Sequence, residues 1–170
     1  MNIELVDARQ SPTDRAWLTN VYSFYLHDLS EFDDGYYRLS SDGRWEPDHL
    51  PCWLVDDTDS PLIIRASHER VGFALVNTAP SPHIIPGADY RLAEFFVLRS
   101  FRRAGVGRRA AFALFDGLPG IWEIRELPRN RAAIAFWRAI VTEYAAGQYE
   151  ETVTHEEVRQ IFDSRGRGGR

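Results

Sequence analysis

The sequence predicts a single α/β domain of mixed α+β type: one central mixed, mostly antiparallel sheet of about six to seven strands with helices on both faces. Three observations carry this. The hydrophobic pattern switches between strand and helix periods in the order β-α-(α)-β-β-β-α-β-α-β-β. Its centre reads strand–helix–strand–helix, with hairpins on either side. No repeat or linker divides the 170 residues, and a chain of this length at 44% hydrophobic content supports one well-buried core. The domain is drawn over residues 1–164, and the Gly/Arg-rich tail 165–170 is expected to be disordered.

Residues 2–7 (NIELVD) alternate as a first strand. Ser11, Pro12 and Asp14 then open a helix as N-cap, first-turn proline and first-turn acid. Trp17, Val21 and Tyr25 recur at helical spacing, so the helix is expected over 12–28. Residues 29–60, with their DDG, SDG and DDTDSP clusters, read as a long ordered loop holding one short helix. From Pro61, LIIRAS and VGFALVN form an antiparallel hairpin turning at His68-Glu69-Arg70. A proline-rich loop leads to Tyr90–Leu98 (YRLAEFFVL), the strongest strand, and then to a helix over 105–117. Pro119-Gly120 ends that helix and IWEIREL forms the next strand. Asn130 caps a further helix to about residue 141, and 148–153 and 159–163 supply two closing strands.

Composition narrows the partners. No apolar run approaches the roughly 20 residues that span a bilayer, and the N-terminus lacks a basic segment followed by an apolar one. Cys52 is the sole cysteine and has no internal disulfide partner, which fits a reducing compartment. A cytoplasmic chain without a membrane partner is expected. Net charge is −5, with thirteen acids against four arginines in residues 1–60. Such a chain is a poor nucleic-acid binder, because that binding rests on neutralising many phosphates. Residues 99–109 instead hold Arg99, Arg102, Arg103, Arg108 and Arg109 and no acid. That cluster suits one compact polyanion, or else a solvated basic face. The five histidines show no metal-ligand spacing, and no metal is expected.

The segment Arg102-Arg103-Ala104-Gly105-Val106-Gly107-Arg108 follows a strand and opens a helix. Glycines there let the backbone adopt strained angles and approach a ligand closely. The helix tip directs unpaired N–H groups and a positive dipole end at one point, which makes an anion site. A P-loop is ruled out, since it needs Gly-Lys-Ser/Thr and the chain has no lysine. A dinucleotide fingerprint fits Gly105 to Ala110, with Glu123 or Glu126 about 20 residues on. However, Arg99 to Ala104 separate its glycines from the strand, and too little chain remains for a second mononucleotide half.

FFVLRSFRRAGVGRRAAFALF resembles the acyl-CoA-binding core of the GNAT superfamily of N-acetyltransferases, whose Arg/Gln-x-x-Gly-x-Gly/Ala signature is met by Arg102, Gly105 and Gly107. A second element of that family, Asn-x-x-Ala-x-x-Phe-Tyr, lines up with Asn130, Ala133, Phe136 and Trp137. The resemblance implies a GNAT-like single domain that moves an acetyl or short acyl group from acetyl-CoA to a primary amine, as a monomer or homodimer. It implies that backbone groups of Phe96, Val97 and Leu98 hold the pantetheine arm. Amides from about Arg103 to Arg108 would hold the pyrophosphate, and Asn130, Phe136 and Trp137 would lie beside the pantetheine and thioester. A non-catalytic acyl-CoA-binding module that kept the cofactor loop is the alternative.

An amine acceptor arrives mostly as an ammonium ion and must lose a proton before it attacks. Glu94 is the expected base: several relatives carry a carboxylate on this strand, and its apolar neighbours favour a raised pKa. Glu123 and Glu126 are weaker candidates on the next strand. The family's usual proton donor, a tyrosine, is replaced by Trp137, whose indole N–H is no practical acid; Tyr144 is the candidate substitute. Helix 1 and the loop after it form the acceptor side in relatives, which points to Tyr25, Asp28 and Glu31 as acceptor contacts.

Overall fold

A computed structural model describes residues 1–167. The elements run β1 (Ile3–Asp7), α1 (Pro12–Leu29), β2 (Arg38–Leu39), β3 (Trp45–Glu46), α2 (Leu50–Val55), β4 (Ser60–Ala66), β5 (Glu69–Thr78), β6 (Tyr90–Val97), α3 (Val106–Gly117), β7 (Ile121–Glu126), α4 (Arg131–Tyr144), β8 (Glu150–Val153) and β9 (Val158–Asp163). Seven strands form one sheet in the order β1-β4-β5-β6-β7-β9-β8. Every pair is antiparallel except β6–β7, which α3 connects in parallel. The mixed sheet with helices on both faces is as expected from the pattern of periods.

Alternation along each strand sorts the side chains into two cores. Phe73 and Leu75 face α1 and α2, where they meet Leu18, Tyr22 and Leu26. Their neighbours Ala74 and Val76 face α3 and α4. On that second face Phe115 of α3 packs edge-on against Trp122, Tyr144 and Phe162, tying both helices to β7 and β9. Each such aromatic contact adds about 0.5–1.5 kcal/mol beyond the area it buries.

Several boundaries differ from the sequence reading for local reasons. The β4–β5 turn is Ser67-His68, one residue earlier, with φ of 49° and 75° and the pair Ala66–Glu69 closing it. Two central residues in left-handed backbone match the twist of a tight hairpin. The loop over 29–60 contains the short ribbon β2–β3 besides α2. Helix α4 runs almost a turn further than expected, to Tyr144. Arg165–Arg167 form a single 3-10 turn, with Arg165 bonded to Asp163, and residues 168–170 of the tail lie outside the described residues.

Asp14 anchors α1 to the sheet. Its carboxylate is 1% exposed and accepts from Arg65 Nη2 at 2.7 Å and Arg70 Nε at 2.5 Å. Burial pushes its pKa up, but hydrogen bonds from Arg70 and Arg65 outweigh that and hold it below the ordinary carboxylate range. Asp14→Ala would leave two arginines facing each other and is expected to cost about 3 kcal/mol in urea unfolding at pH 7. The sign follows from the lowered pKa. The contribution is complete above the usual carboxylate pKa and fades as pH falls through the depressed one, so wild type and variant converge in acid.

The feature that positions the site is a parting of strands. β6 and β7 pair only from Tyr90 to Leu92 and from Trp122 to Ile124. Next on β6 comes a bulge: Val76 faces Leu92 and Leu75 faces Glu94, so Ala93 has no partner. A bulge bends its strand. Beyond it β6 stays with β5 while β7 stays with β9, and a gap opens between them.

Candidate active site

A cleft of about 390 Å³ occupies this gap, with Glu94 and Phe95 on one arm, Glu126 on the other, and Tyr25, Tyr37 and Trp137 over its two faces. Because side chains alternate, Glu94 turns toward the α1 face with Phe96, while Phe95 turns toward α3 and α4. The opening therefore joins the two sides of the sheet.

Glu94 is a buried carboxyl held well away from its ordinary pKa. Burial pushes its pKa up to about 7, against the opposing pull of the Tyr25 hydroxyl, Arg91 and the Tyr22 hydroxyl. Its Oε2 is buried without a hydrogen-bond partner of normal geometry, as is the Tyr22 hydroxyl. The same burial, with the Glu94 charge alongside, raises the pKa values of Tyr25 and Tyr37 above the ordinary phenol value.

At the outer end of β6, Leu98 N–H donates to Val71 O at 2.8 Å and Phe101 N–H to Leu98 O at 2.9 Å. Arg103 then takes a φ of 61° and Gly105 a φ of 78°, and α3 begins at Val106. The first intrahelical bond is Arg109 N–H to Gly105 O. Among the described residues, the N–H groups of Arg103, Ala104, Gly105, Val106, Gly107 and Arg108 have no partner. A Cβ on Gly105 would meet nothing within 4 Å, so the chain beside them is uncovered at that point. Six unpaired donors at a helix tip suit a diphosphate.

Gly107 has a different role. A Cβ there would lie 3.2 Å from the Phe136 ring, which stacks on Phe95 at 6.2 Å between centroids. Trp137 meets Phe95 edge-on at 5.1 Å. The glycine thus lets an aromatic wall form between the helix tip and the cleft. Asn130 lines the cleft and caps α4, its Oδ1 accepting from Ala133 N–H at 3.1 Å.

Other expected site residues sit elsewhere. Tyr144 is 4% exposed and donates to Asp116 Oδ1 at 2.7 Å inside the α3–α4 core, away from the cleft, so it is not placed to deliver a proton there. Asp28 is bridged by Arg99 at 2.6 Å and Arg102 at 2.9 Å and does not line the cleft. Glu31 is exposed outside it as well. Arg102 is turned back along β6, with Nε donating to Val97 O at 2.7 Å. Arg108 pairs with Glu143 and lies over the Phe112 ring. Of the five clustered arginines, Arg103 and Arg109 remain without a carboxylate partner among the described residues.

The backbone of β6 narrows its part of the site. Leu98 bonds toward β5, so by alternation Phe96 does too, and Phe95 and Val97 present their N–H groups to the open edge. Phe96 and Leu98 accordingly have no free N–H for a ligand strand, and Val97 does. Glu123 lies on the α1 face, paired with Arg125 at 2.5 Å, whereas Glu126 lies toward α4 at 6% exposure with both carboxylate oxygens unpartnered. Burial and the charge of Glu151 push Glu126 up to about 8. Arg91, Arg125, Tyr36 and Tyr37 also line the cleft. No local signal marks them in the sequence, since an arginine on a strand reads as solvated surface.

A sheet parted beside an open helix tip, with a titratable carboxyl in the parting, is an arrangement suited to group transfer from a phosphate-bearing donor. The acetyltransferase (GNAT) family model matches residues 19–140, and the chain belongs to that family. Known structures agree in fold. An acetyltransferase of the GNAT family from Streptococcus agalactiae superposes with a TM-score of 0.66 at 11% identity over 95% of each chain. An acetyltransferase from Thermus thermophilus gives 0.63 at 15% identity, over 96% of this chain and 97% of that one. GCN5 of Tetrahymena gives 0.59 at 10% identity, over 96% and 98%. No curated protein is significantly similar in sequence.

Proposed function

We propose that the chain transfers an acetyl or short acyl group from acetyl-CoA to a primary amine by direct attack. The observation that carries this is the unbonded run of N–H groups from Arg103 to Arg108 at the mouth of the parted strands. In this reading those amides and the tip of α3 hold the pyrophosphate. The free edge of β6 at Phe95 and Val97 holds the pantetheine amides, directing the thioester into the gap past Phe136 and Trp137. Glu94 takes one proton from the ammonium. The freed nitrogen bonds to the thioester carbonyl carbon, whose oxygen is stabilised by an N–H of β6. The carbon–sulfur bond then breaks. The nitrogen loses its second proton, and the thiolate takes up a proton to leave as free thiol.

Among the described residues, neither Trp137 nor the buried cleft tyrosines are suited to protonate that thiolate. Trp137 has no acidic proton, and the cleft tyrosines Tyr25 and Tyr37 have pKa values raised further above neutrality. Solvent protonation suffices for a thiolate, which is a good leaving group beside an alkoxide. The same replacement by Trp137 favours a second reading, an acyl-CoA-binding module without turnover. Thiol release from acetyl-CoA across a panel of primary amines separates the two. Release above the hydrolytic background supports transfer, and tight binding of acetyl-CoA with none supports the module.

A further inference from the structure

Most charged groups lining the cleft are already occupied. Asp33 accepts from the backbone N–H groups of Gly35 and Tyr37 at 2.9 and 2.8 Å. Arg125 is held between Glu123 at 2.5 Å and Glu157 at 3.6 Å, and Glu157 also pairs with Arg159. Glu156 points outward, with its side chain 80% exposed. Glu126 lies toward α4, on the other face from Glu94. Two groups on the α1 face are left over, Glu94 and Arg91.

Arg91 is a cation in an uncomfortable place. Its Nη1 donates to His83 O at 2.9 Å, but among the described residues no carboxylate lies within ion-pair distance, and its Nε is buried without a partner. Burial lowers its pKa and the nearby charge of Arg125 adds to that, against the weaker opposing pull of the Glu123, Glu157 and Glu94 charges. A half-buried guanidinium whose Nε reaches neither water nor a partner is left incomplete until something in the bound state pairs with it. An arginine fork is the side chain best suited to grip a carboxylate by two hydrogen bonds.

Resting on the transferase reading above, we infer that the acceptor is an amine that also carries a carboxylate, an amino acid in class, with its nitrogen at Glu94 and its carboxylate at Arg91. The two residues lie on one face of β6, three positions apart across the Ala93 bulge, or at most roughly 10 Å of strand. That span suits a small molecule. A diamine or polyamine fits poorly, because its second ammonium would meet the Arg91 guanidinium, and like charges brought together discriminate against a ligand.

The test compares matched acceptors under saturating acetyl-CoA: amino acids, their amides and the corresponding decarboxylated amines. Thiol release should favour the free carboxylate over the amide by about tenfold or more in kcat/KM. Arg91→Gln should bring that ratio close to one, and Arg91→Lys should leave it at an intermediate value. Equal or better use of amides or diamines by the wild-type chain overturns the inference while leaving the transferase intact. So does a carboxylate preference that survives in Arg91→Gln. Calorimetry of N-acetyl amino acids against their amides, with CoA present, reads the same preference without turnover. A tighter carboxylate form there, without thiol release from any amine, supports the Arg91 site and overturns the transferase reading instead. Equal affinities in calorimetry count against Arg91.

Discussion

Glu94→Gln is expected to lower kcat by about 100-fold or more while the affinity for CoA stays unchanged. General-base assistance contributes roughly 10²–10⁴-fold, and Glu94 lies in the strand gap rather than at the helix tip. In the wild type, kcat should rise with pH through an apparent pKa of about 7, because the base acts only when ionised. The variant should lose that limb. Stability should move the opposite way. A carboxyl whose folded-state pKa is raised favours folding below its ordinary pKa and loses that advantage as pH rises through the folded value. Above pH 7 the wild type therefore carries a buried charge that glutamine lacks, and the variant should be more stable by about 2–3 kcal/mol in urea melts at pH 8. Slower and sturdier together is the signature of a strained catalytic group. An unchanged pH profile would remove Glu94 as base.

Gly105→Val is expected to weaken CoA binding by about 100-fold or more. Hydrogen bonds to a charged partner contribute about 1.5–3 kcal/mol each, so losing even two of those at the helix tip accounts for this. The new side chain would project into open space beside the free N–H groups, where a Cβ meets nothing within 4 Å. The glycine's φ of 78° adds backbone strain, so a fall in Tm is expected as well. Gly43→Val separates the two effects. Gly43 has a φ of 79° and equally open surroundings, in the remote β2–β3 turn. It should lower Tm similarly and leave CoA affinity untouched. Equal CoA affinity in Gly105→Val and wild type would refute the phosphate assignment.

The elements legible in the sequence are those whose signals are local. Ser11 caps α1 and Asn130 caps α4, as their residue types suggest, and the chain's alternation marks β4 to β7. The glycine turn that opens α3 was legible too, because glycines, a strand end and a helix start lie within ten residues of one another. What was hidden depends on residues far apart. Asp28 reads as a free acid until the fold brings Arg99 and Arg102, more than 70 positions on, to either side of it. Arg102 and Arg108 look like phosphate ligands for the same reason, and long-range carboxylates claim both. Tyr144 was misplaced by helix geometry. It stands seven residues past Trp137, about 10 Å further along α4, which carries it from the gap into the core beside Asp116. Arg91 had no signal at all, since its significance lies in what the tertiary structure fails to put next to it.

The parting between β6 and β7 has a kinetic corollary. Because the aperture passes through the sheet, the proposed transfer would let donor and acceptor reach the reacting carbon from opposite sides, so that neither must vacate before the other docks. Initial-rate plots at varied concentrations of both reactants should intersect rather than run parallel, and no acylated polypeptide should accumulate when the amine is withheld.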